Sequence, residues 1–64
     1  MTVRSFTAQE KLNEVERELK QRRRVYPKWI AGGYITQKIA DERVAILEAI
    51  AEDYREKAQG ERLL

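Results

Sequence analysis

Apolar residues recur along this chain at helical spacing, and no strand-like alternation of useful length occurs. Ala8, Leu12, Val15, Leu19, Arg22 and Tyr26 follow one another at intervals of 4, 3, 4, 3 and 4. That is the heptad seam of a helix packed along a neighbour, with an arginine at one seam position. Thr7-Ala8-Gln9-Glu10 opens the segment. The Thr7 hydroxyl can accept from the third helical amide while Glu10 reaches back, which is a capping box. The opposite face is charged. Glu16–Lys20 and Glu18–Arg22 stand at favourable i,i+4 spacing, worth about 0.2–0.5 kcal/mol each when exposed.

A second helical period starts at Thr36, with Ile35 before the cap and Ala40 four residues in as a weak staple. From Gln37 to Ala58 there is no proline or glycine. At 100° per residue, Ile39, Ala40, Arg43, Val44, Ile46, Leu47, Ile50, Ala51 and Tyr54 fill an arc ~160° wide. One neighbouring helix needs only a narrow stripe, so this width predicts two neighbours. Gly60 is expected to end the helix, with residues 1–5 and 60–64 frayed.

Between the two periods lies Pro27. It has no N–H and its ring would meet the Arg23 carbonyl, so the first helix is expected to kink or break near Val25–Tyr26. Pro27 suits the first position of a new short turn, Pro27-Lys28-Trp29-Ile30-Ala31. Gly32-Gly33 then stops it, because glycine takes left-handed geometry at little cost. The expected fold is all-α. It is one domain over 1–64, an antiparallel two-helix hairpin of about 7–25 and 37–59, joined by a Pro/Gly elbow and pairing into a four-helix bundle.

Length sharpens the expectation of pairing. A 64-residue chain has a marginal core on its own, and small scaffolds add disulfides, a metal or another chain. Cysteine and histidine are both absent. That excludes a disulfide, the usual zinc ligand set and a histidine general base. Association with another chain is the route left, most simply as a homodimer. No apolar run approaches the roughly 20 residues of a membrane helix. The first residues lack the apolar core of a signal peptide. A cytoplasmic location is expected.

Net charge is +2 but unevenly placed. Residues 17–30 carry Arg17, Lys20, Arg22, Arg23, Arg24 and Lys28 against Glu18 alone, a local +5, whereas residues 41–64 are net −3. Arg23, Arg24, Tyr26, Lys28, Trp29 and Tyr34 are the candidate partner-binding set. The cations can meet phosphates while the aromatics stack on bases. They can equally meet an acidic protein, or simply favour the dipole at a helix C-terminus. Tyr26, Trp29, Ile30 and Tyr34 either plug the open end of the hairpin or form an interface hot spot. Ile39, Arg43, Val44, Ile46, Leu47, Ile50 and Tyr54 are the candidate oligomer interface. Arg43 sits inside the apolar arc, where an unpaired charge is costly. It is expected either to snorkel or to reach Glu16 or Glu18 or a dimer-internal acid; the alternative is a partner's acid across an interface that sets register.

No catalytic set emerges, and no cofactor is expected. Thr7 and Thr36 read as caps, the acids lie on helix faces, and the glycine pair lacks the lysine and hydroxyl of a phosphate loop. Residues 22–54 resemble small proteins of tailed phages and prophages. The likeness lies in the basic helix end, the Val25-Tyr26-Pro27-Lys28-Trp29 elbow, the glycine, the Thr36-Gln37 start and the Ala40-Asp41-Glu42-Arg43 helix. It implies a short, soluble, phage-encoded helical protein and brings no activity or binding residues with it. The function expected from the residues is non-enzymatic. The elbow binds a host or phage protein and helix two self-associates; the alternative is a nucleic-acid-binding accessory using the basic 22–28 segment.

Overall fold

A computed structural model describes residues 5–63 and has two helices among them, α1 (Ala8–Ala31) and α2 (Gln37–Arg62). They pack antiparallel as a hairpin one layer deep, 15 Å in its thinnest dimension. The expected fraying of residues 1–4 and 64 lies outside the described residues.

Both N-termini form as the caps predict. The Glu10 amide donates to Thr7 Oγ1 at 3.0 Å, and the Thr7 amide donates to Glu10 Oε1 at 3.1 Å, a complete capping box. The Ile39 amide donates to Thr36 Oγ1 at 3.2 Å.

The first helix does not break at Val25–Tyr26; it runs through Pro27 to Ala31. Pro27 removes a hydrogen bond to the Arg23 carbonyl, but packing on both sides holds the last turn. Tyr26 is 3 % exposed, Ile30 is half-buried, and both share a groove wall with Ala40 and Val44 of α2. Tertiary burial outweighs the local preference here.

The stop is a Schellman motif centred on Gly33. Gly33 has φ +78, its amide donates to the Ile30 carbonyl at 3.1 Å, and the Tyr34 amide donates to the Trp29 carbonyl at 2.9 Å. The hydrophobic partners that accompany such a motif are the residues on either side of it, here Trp29 and Tyr34. Gly32 is different, because it caps the helix in right-handed geometry, φ −82.

Gly60 does not end α2 either. The helix continues to Arg62 and closes the open end of the hairpin. Glu61 Oε2 accepts from the Ala8 amide, one of the unpaired donors of the α1 N-terminus, at 3.0 Å. Arg62 Nη2 donates to Gln9 Oε1 at 2.7 Å. Those contacts offset the roughly 1 kcal/mol that glycine costs inside a helix.

The core is a two-sided seam. Ala8, Leu12, Val15 and Leu19 of α1 meet Val44, Leu47, Ala51, Tyr54 and Ala58 of α2, while Tyr26 and Ala40 are buried nearer the elbow. On α2 the seam Ala40, Val44, Leu47, Ala51, Tyr54, Ala58 repeats the 4, 3, 4, 3, 4 spacing of α1. Alanine at three of its six positions keeps the core small.

Candidate interaction surface

The wide α2 arc divides in two. Its Val44, Leu47 and Tyr54 are half-buried against α1. They belong to the hairpin's own core and are not free to form an oligomer interface. Ile39, Arg43, Ile46 and Ile50 lie on the flank beside that seam, at 100° per residue. The isoleucines are 41 %, 54 % and 36 % exposed in turn. At the elbow the flank continues into Trp29, Tyr34 and Ile35, which with Ile39 and Arg43 line one shallow pocket. The result is one apolar side running from the elbow to the middle of the hairpin.

Arg43 does not make the expected pair with Glu16 or Glu18. It has no ion pair or hydrogen bond among the described residues and stands exposed amid the isoleucines. Glu18 is already taken. Arg22 Nε donates to Glu18 Oε1 at 2.6 Å and Arg22 Nη1 donates to Tyr26 Oη at 2.8 Å. The Tyr26 bond first, and then the Glu18 bond, hold the Arg22 guanidinium above its ordinary pKa. This explains the arginine at a seam position. Its head leaves the seam for two acceptors on its own helix while its stem covers apolar surface. The expected Glu16–Lys20 pair does not form, and Arg17 Nη1 donates instead to Glu14 Oε1 on its own helix at 3.5 Å.

The opposite side of the hairpin is mixed, an ion pair beside an apolar groove. Arg23 Nη2 donates to Glu48 Oε1 at 3.0 Å across the two helices. Beside that bridge, Pro27, Ile30, Ala40 and Val44 line a groove of about 660 Å³ with Gln37 and Asp41 on its rim.

The predicted elbow set is therefore dispersed. Tyr26 is buried, its ring 5.7 Å from that of Trp29 at an interplanar angle of 52°, and cannot stack on a partner. Arg23 is engaged with Glu48. Trp29, 43 % exposed, and Tyr34, 84 % exposed, lie on the apolar side. Arg24 and Lys28 point away from α2 instead, on an outer face they share with Arg17 and Lys20 at spacings of 3, 4 and 4. Lys20, Arg24 and Lys28 have no ion-pair partner among the described residues. Tyr54 carries a feature the pattern alone does not display, with Lys11 and Lys57 ammonium groups 5.5 and 5.4 Å from its ring centroid.

Among the described residues no cluster of carboxylates is placed to hold a metal ion, and no polar or charged side chain is buried. No helix among them is long and apolar enough to cross a membrane. No family model matches the chain, and neither a curated protein nor a solved structure is significantly similar to it.

Proposed function

We propose that this is a non-enzymatic interaction protein that acts by burying its apolar side against protein. The observation that carries this reading is the run of exposed Ile39, Ile46 and Ile50 continuous with Trp29 and Tyr34 on one side of a one-layer hairpin. The described buried residues are seven, four of them alanine. A core so light is completed by another chain. The α2 flank serves self-association, and the aromatic elbow is offered to a second protein. The likeness of residues 22–54 to small phage proteins supplies a setting, the cytoplasm of an infected host cell.

Light scattering at micromolar concentration tests the first half. A mass of twice 7.6 kDa is expected, and a well-folded monomer refutes it. For the elbow, Trp29→Ala is expected to abolish capture of a purified partner while leaving helicity largely unchanged.

A second reading rests on a separate observation, the outer face of Arg17, Lys20, Arg24 and Lys28. Residues three and four apart form one basic ridge, suited to a run of phosphates. Arg22 and Arg23, being held by Glu18, Tyr26 and Glu48, contribute little to it. If nucleic acid binds there, log affinity falls against log salt with a slope of about −3 to −4, near 0.9 per phosphate met. Binding that ignores salt removes this reading.

A further inference from the structure

Each of the two sides of a hairpin can be covered in more than one way, and the chemistry of the flank selects among them. We propose that a second copy of this chain covers the apolar side with the two elbows at opposite ends, forming a four-helix bundle about a twofold axis level with residues 46–50. The inference rests on the self-association proposed above and specifies its geometry.

Two twofold arrangements keep every pair of adjacent helices antiparallel. In one the elbows lie together and α2 of each copy covers α1 of the other. In the second the elbows lie apart and α2 covers α2. The flank of α1 on this side carries Lys11, Glu18 and Arg22, whereas the flank of α2 carries Ile39, Ile46 and Ile50. Elbows together would place isoleucines over Glu18 and Arg22, desolvating charges against apolar surface. Elbows apart places isoleucine on isoleucine.

Charge favours the same choice. The elbow half of the hairpin, residues 18–48, is net +3, and the open half, residues 5–17 with 49–63, is net −2. Elbows together would juxtapose two like ends, which repel; elbows apart sets each basic end beside the more acidic half of the other chain.

The spacing is also self-complementary. With the axis midway between Ile46 and Ile50, each of these residues stands opposite the other in the partner copy. At nearly the same level on α1, Glu18 stands opposite Arg22 of the second copy. Lys11, in turn, comes to the level of the second copy's Trp29. Unpartnered Arg43 comes to the level of Asp53 of the second copy, whose carboxylate can pair with it. Two helices about 36 Å long and about 10 Å wide each present a footprint on the order of 700 Å². A stable dimer of standard size buries about 800 Å² per partner.

The chain has no cysteine, so a single spin label can be placed by Tyr34→Cys at the elbow, a residue 84 % exposed. Dipolar spectroscopy on the intact labelled protein, paired with light scattering, then reads the arrangement. Elbows apart gives a label separation on the order of 40 Å, from about 1.5 Å of rise per residue over the two half-lengths. A dimeric mass with a separation near 20 Å or less overturns the orientation and leaves self-association standing. A monomeric mass without a dipolar signal overturns both. Ile46→Glu is expected to shift the dimer toward monomer at least tenfold in dissociation constant. Circular dichroism of the same sample separates loss of the contact from loss of the fold, and a folded Ile46→Glu dimer of unchanged affinity overturns the placement of the axis.

Discussion

Gly33 holds the position in the described chain where a side chain would be strained, since its φ of +78 lies in the left-handed region. Nothing crowds the space where a Cβ would go, so Gly33→Ala isolates the backbone term. It is expected to destabilise by about 1–2 kcal/mol, read as a lower midpoint in urea. Gly32 offers the contrasting case. A Cβ there would come within 2.7 Å of Tyr34 Cε2, but that ring is highly exposed and free to swing aside, so Gly32→Ala is expected to change stability far less. Thr7→Ala removes the hydroxyl that accepts from Glu10 and is expected to cost about 1 kcal/mol in the same measurement.

At the level of the helix, Pro27 is the element's weak point and also its most informative one. Alanine in its place restores an amide donor for the Arg23 carbonyl. Pro27→Ala is expected to stabilise the hairpin by up to about 3 kcal/mol, raising the denaturation midpoint. An unchanged or lower midpoint would mean that the proline's pre-set φ, or its packing on the groove, matters more than the missing bond. The two helices, their caps and the α1 seam were legible in the sequence because each depends on neighbours three or four residues apart. The ends were not. Pro27 and Gly60 both argue locally for a stop. What overrides them is contact with residues far along the chain, Tyr26 and Ile30 with Ala40 and Val44 at one end and Glu61 with the Ala8 amide at the other. The candidate site was half legible for the same reason. The width of the α2 arc predicted two neighbours; the packed hairpin supplies one of them, and it separates Val44, Leu47 and Tyr54, which face α1, from Ile39, Ile46 and Ile50, which do not. Similarly, three consecutive arginines read as one cluster, yet a helix turns them to three directions. Arg22 goes to Tyr26, Arg23 to Glu48, and Arg24 to the outer face.

On the scale of the whole molecule, contacts tie α1 to α2 at both ends of the hairpin. Glu61→Gln keeps a hydrogen-bond acceptor for the Ala8 amide but removes the negative charge from the α1 N-terminus. A loss of about 0.3–1 kcal/mol is expected, smaller at high salt because the dipole contribution is screened. The proposed self-association would add its own signature. Thermal midpoints should rise with protein concentration, because a partner that binds only the folded chain stabilises it by mass action.

The chain's one tryptophan sits where the helix stop, the elbow and the apolar side meet, 43 % exposed and against the Tyr26 ring. The molecule thereby carries an intrinsic optical reporter at the place of most interest. Covering the elbow should shift Trp29 emission to shorter wavelength. A contact confined to the middle of the flank should leave its colour almost unaltered, whereas the full-length dimer, which brings Lys11 of the second copy to the level of Trp29, should shift it with rising protein concentration. Self-association can then be followed in the unmodified protein and without a label.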